Sequence, residues 1–60
     1  MDNAIGQYKF IVIEKPIDEF WYEITKPDNE VISSNEVFDC EARARLAAIG
    51  HISLMEKGEL

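Results

Sequence analysis

Two prolines constrain the first half of this chain more than any other feature. Pro16 and Pro27 have no amide hydrogen to donate to a sheet, so each is expected in a turn or at the end of a strand. A run rich in aromatic and β-branched residues stands before Pro16 at 8–14, and a second such run occupies 20–25 between the prolines. Both runs have the length and composition of β-strands. These two runs and the position of Pro16 therefore predict two strands joined by a turn around Pro16.

The remainder of the chain predicts a hairpin and a helix. The sequence Lys26-Pro27-Asp28-Asn29 is typical of a turn, and it is expected to join the second strand to a short third strand at 30–34 as an antiparallel hairpin. Asp39 is a good helix N-cap, and a helix is predicted from Cys40 to Lys57, with Gly58 in the left-handed conformation just beyond it. The predicted fold class is α+β, a three-stranded antiparallel sheet packed on one C-terminal helix (βββα).

The length of the chain predicts one small domain, 1–60, with a frayed terminus at 1–6. Such a domain buries only about 60% of the surface that its unfolded chain exposes, so its stability is expected to be marginal. Cys40 is the only cysteine, which excludes an internal disulfide, and Cys40 with His51 falls short of the roughly four ligands of a structural zinc site. Self-association is therefore the expected source of additional stability.

The charge balance disfavours nucleic acid as a direct partner. Twelve acidic residues against six basic ones give a net charge of −6, and a negative field repels phosphates. If the acids form one contiguous face, that face is suited to docking on a basic protein, whereas scattered acids would serve solubility alone. The candidate acidic face consists of Asp18, Glu19, Glu23, Asp28, Glu30 and Glu36.

The sequence shows no sign of a membrane span or of export. No apolar run approaches the roughly 20 residues that cross a bilayer. The start, Met1-Asp2-Asn3-Ala4-Ile5, lacks the basic and apolar regions of a signal peptide. A lone cysteine in a chain that is not exported is typical of a reducing compartment. We therefore expect a cytoplasmic protein that does not bind a membrane.

Alternation along the strands predicts which side chains the helix covers. Residues two apart share a face, and the covered face is predicted to hold Tyr8, Phe10, Val12, Phe20, Tyr22, Ile24 and Val31. At 100° per residue, the helical stripe expected to meet that face consists of Ala42, Leu46, Ile49 and Ser53, with Ile52 at its edge.

Two apolar patches then remain as candidate interaction surfaces, one on the open side of the sheet and one on the far side of the helix. Their predicted residues are Ile11, Ile13, Trp21, Ile32, Ala44, Ala48, His51 and Met55. The alternatives are that the alanines serve only helix formation and that the N-terminal segment with Ile5 covers Trp21.

No residue is predicted to be catalytic, and no cofactor or metal site is predicted. The sequence has no phosphate-binding loop, dinucleotide fingerprint or calcium-loop spacing. His51 and Cys40 are separated by roughly 16 Å along one helix, too far for a nucleophile pair. His51 is expected to be an exposed or capping histidine, and Arg45 is expected to pair with Glu41 at the i,i+4 spacing.

The arrangement of these elements resembles two families of small bacterial and phage proteins. The strand Phe20-Trp21-Tyr22-Glu23-Ile24, the polar turn, the segment Glu30-Val31-Ile32-Ser33-Ser34 and a helix rich in Ala and Arg look like a YegP-type domain over about Tyr8 to Met55. That resemblance implies βββα units that pack as pairs of repeats or as homodimers. Asp39-Cys40-Glu41-Ala42 stands where that family has Ser-Lys-Ala-Ser.

A second resemblance concerns Ile13-Glu14-Lys15 followed by an aromatic strand, which is similar to the start of HicB-type antitoxins. It implies a small basic ribonuclease toxin as partner. The sequence as a whole predicts a small acidic non-catalytic interaction module of bacterial or phage type that forms a homodimer. The alternative is an acidic inhibitor or antitoxin-like protein that blocks a basic, nucleic-acid-binding partner. An enzyme would need a cleft that joins His51 or Cys40 to a carboxylate.

Overall fold

The computed structural model describes residues 3–58. It contains four strands, β1 (Asn3–Ile5), β2 (Tyr8–Lys15), β3 (Glu19–Thr25) and β4 (Val31–Ser33), followed by the helix α1 (Glu41–Glu56). The strands form one antiparallel sheet in the order β1-β2-β3-β4, and α1 packs on one side of it. The predicted α+β class is confirmed, but the predicted number of three strands is wrong because β1 adds a fourth. Among the described residues, no helix is long and apolar enough to span a membrane.

β1 lies in the segment for which the sequence predicts a frayed terminus. It pairs with the start of β2, where Ile5 stands opposite Tyr8. The chain reverses between them through only two residues, and Gly6 has a φ of +58°, a conformation that glycine adopts at no steric cost. The prediction of fraying is therefore wrong for 3–5, which form β1, and Gly6 lies in this turn. The rest of the prediction concerns Met1 and Asp2, which lie outside the described residues.

The core lies between α1 and the facing side of the sheet. Three of its residues come from β2 and β3 and three from α1, and none is more than 7% exposed. All three sheet residues are among those predicted to face the helix, and the prediction is confirmed for these three. The six buried hydrophobic residues are Phe10, Tyr22, Ile24, Ala44, Ala48 and Ile52.

The two faces of β4 are exchanged relative to the prediction, because the face predicted to be open is the one that faces the helix. Val31 pairs with Thr25, whereas Ile32 pairs with Ile24, and residues directly opposite in a sheet share a face. Ile32 therefore lies on the helix side, and Val31 lies on the open side and is 56% exposed. Both predictions are wrong because the 26–30 loop, closed by a 2.8 Å backbone hydrogen bond between its first and last residues, sets a register one residue from the expected one.

The side of α1 that packs on the sheet is the side that the sequence predicts to face away from it. Ala44, Ala48 and Ile52 are fully buried, whereas Leu46 is 69% exposed and Ile49 is 36% exposed. The predicted stripe is therefore wrong, except that Ile52 at its edge is buried. The facing side of the sheet carries large aromatic and branched side chains, and alanines on the helix let the two elements approach closely without voids. Since α1 has apolar residues on both sides, its periodicity does not identify the side that is buried.

The ends of α1 follow the predicted bounds to within one residue. The helix begins at Glu41 with Cys40 in the N-cap position, and Cys40 makes no side-chain capping hydrogen bond. The prediction of Asp39 as the cap is wrong, since Asp39 instead lies 3.6 Å from Arg43 in an exposed ion pair. Gly58 has a φ of +75° just beyond the helix, as predicted.

Candidate functional site

The side of the sheet opposite α1 has no cover among residues 3–58, and we call it the open face. At its centre Ile13 and Trp21 stand directly opposite each other, and Ile11 lies beside them on β2. All three are half-buried, and Trp21 lines a shallow hollow with Lys15 and the 33–37 segment at one edge of this face. Ile5 packs against the core on the helix side, so it does not cover Trp21. The open face consists of Ala4, Lys9, Ile11, Ile13, Lys15, Glu19, Trp21, Glu23, Thr25, Val31 and Ser33.

Charges on the open face are sorted by strand. Lys9 and Lys15 lie on β2, and Glu19 and Glu23 lie on β3. The Lys15 ammonium lies 4.8 Å from the centre of the Trp21 ring, which places it above the face as a cation–π contact. The open face thus has an apolar centre formed by β2 and β3, with basic residues on β2 at both sides of it and acidic residues on β3.

The predicted helical half of the interaction surface is not available to a partner. Ala44 and Ala48 are fully buried against the sheet, and Met55 packs against the core. Ile32 lies on the helix side of the sheet, as described above. The placement of these four residues on an outward surface is therefore wrong. The outward side of α1 instead presents Leu46, Ile49 and Leu54.

His51 lies at the edge of a groove rather than on an exposed or capping position. Its Nδ1 is 2.9 Å from the hydroxyl of Tyr22, and the two rings meet edge to face with centroids 5.8 Å apart. Burial, and to a lesser degree the charge of Glu36, raises the pKa of Tyr22 above its ordinary value of 10.0. The phenol is thus held further from ionisation, which is the opposite of what a tyrosine acting as a base requires.

The groove exists because the chain after β4 bulges away from β3. Phe38 returns to the sheet and exchanges two backbone hydrogen bonds with Phe20, of 2.7 and 2.9 Å. Its ring also stacks on Tyr22 at a centroid distance of 6.1 Å. The bulge and α1 enclose an open cavity of about 520 Å³. The sequence predicts neither a strand nor a helix at 35–38, and only the aromatic residue at 38 signals a further contact with the sheet.

The six candidate acids do not lie at one place in the fold. Asp18 and Glu19 lie at one end of β3, and the 26–30 loop, with Asp28 and Glu30, lies at the other. A seven-residue strand separates those ends by roughly 20 Å. Within the loop, Asp28 accepts a hydrogen bond from the Glu30 amide, and the Glu30 carboxylate pairs with Lys26 at 3.0 Å. These contacts are local and serve the turn.

Among residues 3–58 there is no group of three or more His, Cys, Asp and Glu side chains that could hold a metal ion. The predicted pair of Arg45 with Glu41 is present, with 3.0 Å between nitrogen and oxygen, and it is exposed. No protein-family model, curated protein or solved structure matches this chain. The resemblances to YegP-type domains and HicB-type antitoxins stay predictions.

Proposed function

We propose that this chain is a small acidic non-catalytic interaction module that associates with a second copy of itself through the open face. The observation that carries the proposal is the apolar centre of that face, Ile11, Ile13 and Trp21, which no described element covers. An apolar patch rimmed by charges is typical of an association surface. Small domains also commonly gain stability by burying such a surface against another copy.

The size of the open face implies a weak complex. The strand residues of the sheet, at about 4.8 Å between strands and 3.3 Å along them, cover roughly 330 Å² on each copy. Two such faces together give roughly 700 Å², before the extra surface of the long side chains is counted. Specific interfaces generally exceed about 1,000 Å² in total. We therefore expect weak association, and the concentration series should reach about 1 mM, where a complex held by roughly 4 kcal/mol is substantially formed.

Light scattering across such a series tests the proposal. The mass should rise from 6.9 kDa toward twice that value. Ile13→Lys puts a charge at the centre of the open face and should hold the mass at 6.9 kDa, whereas Leu46→Lys puts the same charge on the outward side of α1 and should leave association unchanged. A wild-type chain that stays at 6.9 kDa at every concentration would refute the proposal.

We also propose that the protein acts in the cytoplasm of a bacterial or phage-infected cell. This location is supported by the single thiol of Cys40, which is exposed and free and which a reducing compartment would keep reduced. The resemblance to families of bacterial and phage domains agrees with it.

The second candidate function is that of an acidic inhibitor of a basic, nucleic-acid-binding protein, and the net charge of −6 favours it. The distribution of the acids gives it less support, because Asp18 and Glu30 lie at opposite ends of the sheet. An inhibitor of this kind would bind a basic ribonuclease with an affinity that falls steeply with salt. Calorimetry against such a protein at two salt concentrations tests it, and the absence of salt-dependent binding would exclude it.

A further inference from the structure

The four charged residues of the open face have no ion-pair partner within the described part of the chain. The ion pairs of 4.0 Å or less among residues 3–58 are Lys26–Glu30, Arg43–Asp39 and Arg45–Glu41, and none involves the open face. Lys15 and Glu19 stand opposite each other across β2 and β3, yet the Lys15 ammonium turns over Trp21 instead. The two lysines of β2 and the two glutamates of β3 are therefore free to pair with charges on another molecule.

We infer that two copies pack with their open faces together around a two-fold axis that runs parallel to β2 and β3, between them. This inference rests on the proposed self-association. Such an axis sets β2 of each copy over β3 of the other. The Lys15 ammonium of one copy then faces the Glu19 carboxylate of the other, twice over, and Ile13 of one copy faces Trp21 of the other.

The sorting of the charges selects this axis against the alternative. A two-fold axis that runs across the strands would set β2 over β2 and β3 over β3. With that axis through Ile13 and Trp21, Glu19 of each copy would face Glu23 of the other, and Lys15 would face Ile11 instead of a carboxylate. Like charges placed opposite each other at an interface oppose binding strongly, and complementary rows favour it. Lys15 and Glu19 are thus the residues that determine the arrangement of the pair.

The twist of packed sheets is compatible with these contacts. Face-to-face sheets lie about 10 Å apart and are rotated by about 30°. With the crossing point at Ile13 and Trp21, Lys15 and Glu19 lie two residues away, or about 7 Å along the strands. The rotation displaces them sideways by roughly 3.5 Å, which is less than one strand spacing. The long lysine side chain still reaches the carboxylate on the neighbouring copy.

Charge reversal separates contacts between copies from contacts within one. Lys15→Glu and Glu19→Lys each place like charges across the proposed interface, and each should raise the dissociation constant by about tenfold or more. An equimolar mixture of the two variants should associate about as well as the wild type, because each copy then meets the opposite charge on its partner. Mixing cannot repair a defect inside one copy, so this rescue is specific to contacts between copies.

The readouts are the mass by light scattering and the emission of Trp21, the only tryptophan, which lies on the open face and should shift to the blue on association. Both substituted positions are exposed, so the variants should fold, and circular dichroism checks this. Lys57→Glu is the matched control for Lys15→Glu, because it makes the net charge more negative by the same amount at an exposed position at the end of α1.

Three results decide the matter. Weakening by both single variants with rescue in the mixture supports the arrangement. The arrangement is overturned if the wild-type chain associates but the single variants associate no more weakly than Lys57→Glu. It is also overturned if the mixture associates no more tightly than either variant alone. In both cases self-association itself still stands. A wild-type chain that stays monomeric overturns the proposed function, and the arrangement fails with it.

Discussion

Replacing one residue on each side of α1 tests which side of the helix the sheet covers. Ile52 is fully buried among the core residues, and Leu46 is 69% exposed on the outward side. Removing one methyl group from a buried isoleucine costs about 0.5–1.5 kcal/mol of unfolding free energy, and truncation to alanine costs about 2–5 kcal/mol. Leu46→Ala should change the unfolding free energy by no more than about 0.5 kcal/mol, since alanine is also the better helix former.

These costs are large for a domain of this size. A chain of 60 residues is expected to have roughly 3–9 kcal/mol of total stability. Urea unfolding followed by circular dichroism has a slope near 1 kcal/mol per molar for so small a domain. Ile52→Val should therefore lower the midpoint by about 1 M, and Ile52→Ala should leave little or no folded baseline. Leu46→Ala should keep the wild-type midpoint.

Self-association would alter apparent stability, so the three variants are compared at one protein concentration below the onset of association. A larger loss of stability from Leu46→Ala than from Ile52→Val would refute the reasoning. It would mean that α1 buries the stripe that its sequence periodicity predicts.

Three further predictions concern single residues. Gly50→Ala should raise the unfolding free energy by up to about 1 kcal/mol, because an added Cβ meets no atom within 4 Å; an unchanged urea midpoint would argue against this. Gly58→Ala should lower it by about 1 kcal/mol, because the φ of +75° is strained for alanine; equal midpoints would show that this end of the helix frays. Because the pKa of Tyr22 is raised on folding, its contribution to stability is complete below pH 10.0 and is lost as the pH rises through the folded value. Tyr22→Phe should reduce that alkaline loss in pH-dependent thermal unfolding, with Tyr8→Phe as the matched control, and a loss identical to that of the wild type would contradict the assignment.

Local sequence signals predicted the central strands and the C-terminal end of the helix, and they placed its N-terminal end to within one residue although the N-cap is Cys40 rather than Asp39. Pro16 and Pro27 lie between strands, and the sequence around Pro27 forms a turn in which Asn29 has a φ of +72°. These features depend on residues adjacent in the chain, where conformational preferences act directly. Gly58 is of the same kind, since the end of a helix is a local event.

Features that depend on contacts between distant segments were predicted poorly. The side of α1 that is buried depends on how closely the helix approaches Phe10 and Tyr22, and no pattern within the helix expresses that distance. The register of β4 depends on the shape of one loop, and a difference of one residue exchanges its two faces. The bond between Tyr22 and His51 joins residues 29 positions apart. For the open face, alternation was sufficient for Ile11, Ile13 and Trp21, because β2 and β3 pair without a bulge.

Marginal stability and self-association have a common physical cause in this fold. One helix covers one side of the sheet, and two of its three buried residues are alanines, so the core contains little apolar volume. The other side of the sheet holds the remaining large apolar residues of β2 and β3 and has no second layer among residues 3–58. A second copy supplies that layer without any lengthening of the chain. Because association draws on the folded state alone, a free concentration equal to the dissociation constant adds about 0.4 kcal/mol to stability, in a domain of which only a few kcal/mol are expected.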